Sequence, residues 1–473
     1  MDIAAEDVNI IIAKHLQETG FQHTAYIFRY EALVEDDEID VPAQSLINIV
    51  KKGMLYMQLE KKINILAKDE DDPEVIINNI TSSAKNSAST PIKNPKGRPP
   101  SSVNAQNVSR SVSAPPLFAS PIVLKRHTNE VFAGAWSPDG KKFASASADA
   151  TSIIWDIGEK GSCNAFVLDH STKQDSREQA VISISWNSSG TLLATGSNDG
   201  SVRLWTSQGG FKHSFVRHTS DVFAVHFSPN DEYLLSCSND TSVYLWNIKT
   251  CEYNAFQNHT DSALDVDWYD NTRFASCSRD KTICIWKIDD HKPLHVLKGH
   301  EKDVIKVLWD PSKKYLASCS DDSNIMIWFP FEKTQPYTLE GHTETVYTIK
   351  WVPGNNSRKL LVSGGFDKTV KVWDVPRRIC IHTLSQNQNI YTIAFSPLGR
   401  YFSTGGNCSP MNIYTTFEGN KVASYDTPGI YEAIWNPNGS CIALCGNDRT
   451  VVLYPTYLIP EYNDSMIKEN KML

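Results

Sequence analysis

Much that would announce a familiar chemistry is missing from this 473-residue chain. No stretch approaches the roughly 18 consecutive apolar residues of a membrane-spanning helix. The opening residues, MDIAAEDVNIIIAKHL, are acidic where a secretory signal carries basic residues before its apolar core. The expectation is a protein of the cytoplasm or nucleus that makes no membrane contact. There is no G-x-x-x-x-G-K-[ST] phosphate loop, no G-x-S-x-G elbow, no H-E-x-x-H and no C-x-x-C pair. The chain therefore reads as a non-enzyme with no cofactor, no metal site and no catalytic residues. A surplus of positive charge is lacking too. The net charge of -8 argues against non-specific nucleic-acid binding by the whole surface and favours protein partners.

What is present is a repeat. From about residue 127, SADATSIIW, SNDGSVRLW, SNDTSVYLW, SRDKTICIW, SDDSNIMIW and GFDKTVKVW place an Asp six residues before a Trp. The pairs are Asp149 and Trp155, Asp199 and Trp205, Asp240 and Trp246, Asp280 and Trp286, Asp322 and Trp328, Asp367 and Trp373. Successive tryptophans lie 50, 41, 40, 42 and 45 residues apart, the period of a WD-repeat propeller blade. Two weaker copies follow. One ends at Tyr414 without the Asp and His markers, and the other, GNDRTVVLY, keeps Asp448 and has Tyr454 for Trp. Eight repeats of four short alternating strands predict an all-β propeller of eight blades, a ring that hides its sheet edges. PIVLKRHT, ahead of the first repeat, is placed to supply the outer strand of the last blade and so clasp the ring.

Six to eight acids spread around a ring cannot converge on one substrate, so their recurrence points to structure. In five repeats a His precedes the Asp by 21 to 25 residues: His127, His218, His259, His300 and His342. A Ser or Thr sits four before the Asp, at Ser145, Thr195, Ser236, Ser276, Ser318 and Ser363. In the WD-repeat family that these repeats resemble, such residues form a buried hydrogen-bonded network in each blade. The ten cysteines read as scaffold also. Cys237, Cys277 and Cys319 share one slot, the middle of SCS, where other repeats carry Ala146, Gly196 or Gly364, which marks a small buried filler in a reducing compartment.

Four residues before the first Trp or Phe of each repeat stand Phe132, Ile182, Phe223, Leu264, Ile305, Tyr347, Tyr391 and Tyr431. Two readings fit this slot: packing between blades, and a partner-binding rim where the innermost strands begin beside the central channel. Arg279, Asp321 and Phe366, each just before a blade Asp, are expected in turns opening to the same side. Aromatics and Arg are the residue types that usually carry interface energy. The candidate partner-binding set is thus Phe132, Phe223, Arg279, Asp321, Tyr347, Phe366, Tyr391 and Tyr431.

Outside the propeller, VNIIIAKHLQETGFQHTAYIFRYE puts Val8, Ile11, Ile12 and Leu16 on one helical face. Gly20 ends that helix, and Phe21, Ala25 and Phe28 mark a second. A hairpin this small cannot bury its own stripe, so self-association is expected through Val8, Ile11, Ile12, Leu16, Phe21, Ala25 and Phe28. A third helix is expected in VPAQSLINIVKKGMLYMQLE. Residues 67–120 read as a disordered tether, free of Asp and Glu from Thr81 to Ser120. Within it, NPKGRPPS resembles the core of an AT-hook, in which Lys96 and Arg98 would make a weak DNA contact in a narrow minor groove; a solvated tether or a nuclear-import signal fits the same residues.

The first stretch resembles a LisH motif, with His15 where that family commonly has Tyr. The domain order expected is a LisH hairpin plus third helix over 1–66, the basic linker over 67–120, the propeller over 121–457 and a tail over 458–473. That order, with LQETGF and the third-helix sequence, resembles the transducin β-like family of corepressor subunits. The resemblance implies a nuclear scaffold, a dimer or tetramer through LisH, that joins a corepressor protein and histone deacetylase, binds histone tails or other proteins through its propeller, and engages ubiquitin machinery. The degenerate seventh repeat is a departure. Two alternatives are a substrate receptor or adaptor of a ubiquitin ligase, and a LisH/WD-repeat regulator of cytoskeletal motors, although no long coiled coil follows the LisH-like stretch here.

Overall fold

The structure, a computed structural model, describes residues 120–459 apart from 159–162, 172–178, 355–357 and 409. The expected helices, the linker and the oligomerisation residues Val8 to Phe28 lie outside the described residues, as do Lys96 and Arg98. Eight antiparallel sheets of four strands form the eight blades of a propeller. Blade 1 is built from Val131–Trp136, Lys142–Ser147, Thr151–Ile157 and Cys163–Asp169, innermost strand first. The innermost strands of blades 2 to 8 are Val181–Trp186, Val222–Phe227, Ala263–Trp268, Val304–Trp309, Val346–Trp351, Ile390–Phe395 and Ile430–Trp435.

The core is divided among the gaps between blades. Eight apolar clusters fill the eight gaps; in the gap between blades 4 and 5, for instance, Cys277 and Ile285 meet Val304, Val307 and Trp309. The shared cysteine slot lies in this packing. Cys237, Cys277 and Cys319 are fully buried free thiols. Where the slot is Gly364, a Cβ would stand 2.4 Å from Ile390 of the next blade, so no larger residue fits there.

Blade 8 is completed from the other end of the ring. Ile122–Lys125 pairs antiparallel with Thr450–Pro455, Ile122 opposite Leu453 and Lys125 opposite Thr450. Leu124, 5% exposed, enters the cluster that joins blades 8 and 1. Trp136 Nε1 donates to the Ile434 carbonyl at 3.3 Å, and Asn436 Nδ2 to that of Gly140 at 2.9 Å, so the closing gap is bonded as well as packed.

Candidate functional site

The recurrent polar residues are relays inside single blades. In blade 3, Trp246 Nε1 donates to Ser236 Oγ at 2.8 Å, Ser236 lies 2.8 Å from His218 Nε2, and His218 Nδ1 lies 3.0 Å from Asp240 Oδ2. An indole can only donate and a carboxylate can only accept, so with a neutral imidazole the direction of the relay is fixed. The same chain links Trp155, Ser145, His127 and Asp149; Trp286, Ser276, His259 and Asp280; Trp328, Ser318, His300 and Asp322; Trp373, Ser363, His342 and Asp367. Each Asp also accepts from the backbone N–H following the His and from the N–H two residues after itself, as Asp240 does from Thr219 and Ser242. Burial alone would raise these carboxyls. The hydrogen bonds outweigh it and hold Asp322 and Asp367 down at about 2, with Asp149, Asp240 and Asp280 also well below the usual carboxylate range.

Three blades depart from this scheme. Blade 2 has a histidine that the spacing did not reveal: His170 Nε2 lies 2.9 Å from Thr195 Oγ1, which also accepts from Trp205. Among the described residues its Nδ1 has no hydrogen-bond partner, because Asp199 turns instead toward Arg203 at 3.4 Å. Burial and the Arg203 charge push the His170 imidazole well below its ordinary range. In blade 7, Gln386 does the work of the missing histidine, donating to Thr404 at 3.3 Å and to the Tyr414 hydroxyl at 2.9 Å. In blade 8 the hydroxyl slot is the buried Leu444, so the relay is replaced by apolar packing.

The slot of eight apolar residues combines the two expected roles: Phe223, Leu264 and Ile305 pack against the clusters between blades, and all eight reach the central channel. In every blade the pairing of the two inner strands slips by one residue at that slot. In blade 3, Val222 pairs with Ser238 and Ala224 with Cys237, which leaves Phe223 as the extra residue of a β-bulge. The same slip isolates Phe132, Ile182, Leu264, Ile305, Tyr347, Tyr391 and Tyr431. A bulged residue is unpaired and its side chain is re-aimed. Here it turns into the mouth of a central channel of about 1020 Å³, while the preceding residue, such as Val131 or Val222, takes the fully buried position between blades.

The turn residues converge on the same mouth. The backbone N–H groups of Arg279, Asp321 and Phe366 donate to the carbonyls of Ser262, Asp303 and Thr345, just before the innermost strands. Phe366 stacks on Tyr347 with centroids 5.3 Å apart and meets Tyr391 edge-on at 5.7 Å; Tyr391 lies 6.2 Å from Tyr431, and Tyr431 5.4 Å from Phe132. These five rings form an arc across blades 6, 7, 8 and 1. Phe366 is thus packed on its neighbours as well as open to the channel. Phe223 stands apart on the opposite half, among Ile182, Leu264 and Ile305, where Arg279 Nε lies 3.6 Å from Asp303 Oδ2 and Asp321 is close by. That exposed pair contributes little to stability.

Below the mouth, charged residues that sequence reasoning missed line the channel. One residue past the bulges stand Asp265 on blade 4, Lys306 on blade 5 and Glu432 on blade 8, and three residues past its bulge stands Lys350 on blade 6. The available signal was a run of charges inside otherwise apolar strands, DVDW, IKVLW, TIKW and YEAIW. Among the described residues no group of three His, Cys, Asp or Glu is arranged to hold a metal ion.

Eight four-stranded blades, their relays and a strand that closes the ring define a WD-repeat β-propeller. The family described as WD domain, G-beta repeat matches residues 120–156, 169–206, 209–247, 249–287, 291–328, 333–374 and 378–409; of the relay-free eighth blade only the closing strand Ile122–Lys125 lies within those matches. The F-box-like/WD repeat-containing protein TBL1X of Mus musculus is 34% identical over 522 residues, covering 95% of this chain and 99% of its own length. The WD40 repeat-containing protein HOS15 of Arabidopsis thaliana is 35% identical over 348 residues, 70% of this chain and 57% of that protein. This chain belongs to the transducin β-like family of WD-repeat proteins. Among solved structures, the C-terminal WD40 domain of Sif2 superposes with a TM-score of 0.63 at 20% identity, covering 71% of this chain and 98% of that one, a likeness of fold.

Proposed function

We propose that this protein is a non-enzymatic scaffold subunit of a nuclear histone deacetylase corepressor complex, self-associating through residues 1–66 and holding extended protein segments or histone tails at the propeller mouth. The observation that carries the binding role is the bulge in every blade. It sets a ring of half-exposed rings and aliphatic side chains around one opening, with the aromatic arc on one half and Arg279, Asp303 and Asp321 on the other. Exposed aromatics and Arg in a concave site are what a protein partner buries with most gain. The assignment to a corepressor complex is supported by the likeness to TBL1X over nearly the whole of both chains. Self-association would tether several such mouths together and raise avidity for a partner with repeated segments.

The test is affinity purification of the tagged full-length protein from nuclear extract, with mass spectrometry and a deacetylase assay on the same eluate, beside a chain lacking residues 1–66. Deacetylase activity lost with the deletion supports the reading and places the complex contact in that region. The words F-box-like in the relatives' names favour a second reading, an adaptor of a ubiquitin ligase. Ligase subunits in the eluate without deacetylase would replace the first reading with that one.

A further inference from the structure

The channel below the mouth is charged, and its charges are not equally satisfied. The carboxylates beside its lysines, Asp265 and Glu432, are each tied to the wall by a backbone N–H of the next blade: Asp265 Oδ2 by Val307 at 3.2 Å and Glu432 Oε2 by Gly134 at 2.8 Å. Lys306 and Lys350 have no such tie. They stand on neighbouring innermost strands, both partly exposed to the channel, and among the described residues neither ammonium has a hydrogen bond or a carboxylate within ion-pair distance. Thr348, on the strand of Lys350, lines the same stretch of wall.

Two ammoniums confined in one channel repel each other. The Lys306 charge is the largest influence pressing Lys350 below its ordinary range, with burial second. Burial would lower Lys306 as well, but Asp265 and Glu432 outweigh it and keep that ammonium charged. An anion placed between the two would relieve the repulsion and accept hydrogen bonds that no protein group now accepts. A channel of about 1020 Å³ is much larger than a single small ion, and its entrance is walled by aromatic and aliphatic side chains. That combination suits an acidic side chain brought in by a chain whose neighbouring residues rest on the mouth.

We propose that the channel takes an oxyanion on a peptide side chain, a carboxylate or a phosphate, which passes the aromatic arc and pairs with Lys306 and Lys350. This deepens the reading of the mouth as a peptide-binding rim and rests on it. The test uses the full-length chain and capped nonapeptides in which Tyr and Leu flank one central residue, Glu, phosphoserine, Gln or Lys, with affinity read by fluorescence anisotropy. The Glu or the phosphoserine peptide binds at least about tenfold more tightly than the Gln peptide, and the comparison of those two arms identifies the oxyanion. Lys306→Met and Lys350→Met each abolish the preference while the weaker binding of the Gln peptide and the thermal midpoint persist; Lys306→Arg restores it. Equal or tighter binding of the Gln or Lys peptide, or a preference that survives both Met variants, overturns the proposal. If the Lys peptide binds and that binding needs Tyr347 and Phe366, the rim reading stands while the oxyanion falls. If none of the four peptides binds, both fall.

Discussion

A single hydroxyl holds two rings in each relay, so the cost of its removal depends on what the rings have left. Ser236→Ala orphans the Trp246 N–H and takes away the group that faces His218 Nε2. Each orphaned buried group costs about 1 to 3 kcal/mol, and chemical unfolding should show a loss in that range or above it. Blade 2 provides the contrast. His170 has already given up its second bond, so His170→Leu should destabilise less than His218→Leu, which strands the Asp240 carboxylate; unfolding midpoints of the two variants decide this. The acids set a pH dependence with a definite sign. Asp322 and Asp367 titrate at about 2 when folded against 3.8 as the ordinary value, so the unfolded chain binds more protons between those limits. Their stabilisation is present above about pH 4 and is lost as the pH falls toward about 2, and Asp367→Asn should flatten a plot of midpoint against pH over that window. Residue identity was legible wherever spacing was regular. The Asp and Trp markers and five histidines could be read from the sequence; His170 could not, because 29 residues separate it from Asp199 where the others need 21 to 25.

At the scale of the strand, the bulge is what turns a repeat into a site. The sequence showed one apolar slot per blade. It could not show that a residue packed against the blades is also aimed into the channel, because a one-residue slip in pairing leaves no mark in an apolar run. The slip also explains why Lys306, Lys350 and Glu432 escaped notice: past a bulge, the side of the strand that faces the channel is the opposite of the one that simple alternation assigns. Since the bulged residue makes no ladder pairing, Tyr391→Ser should lower stability by only about 1 kcal/mol, mostly through the lost ring contacts. It should weaken partner capture much more, which a pull-down beside the melting curve would reveal. The closing strand behaves in the other way. Leu124→Asp puts a charge into the joint between blades 8 and 1 and should cost about 3 kcal/mol or more. It also frees the edge of Thr450–Pro455, so light scattering should rise together with the fall in melting temperature.

For the molecule as a whole, the propeller was legible because its information is repeated: even with the markers gone from the seventh copy and the Trp from the eighth, position in the series implied the blade. Gln386 and Leu444 show how such copies persist, one by a substitute relay and one by apolar packing. The self-association proposed for residues 1–66 predicts that Phe21→Asp gives monomers whose propeller melts at the unchanged temperature; light scattering coupled to size exclusion measures the mass, and a variant that keeps the wild-type mass would remove Phe21 from the interface. The ring itself imposes an order in time. Ile122–Lys125 leaves the ribosome before any blade, yet its partner Thr450–Pro455 is among the last strands made. Until translation has nearly finished, the growing propeller is an open fan with two unpaired edges, and its last pairing spans almost the full sequence of the domain. Contacts of such separation form slowly and leave incomplete chains prone to stick to one another, so the newly made protein should depend on chaperones for longer than a domain of equal size built from local pairings.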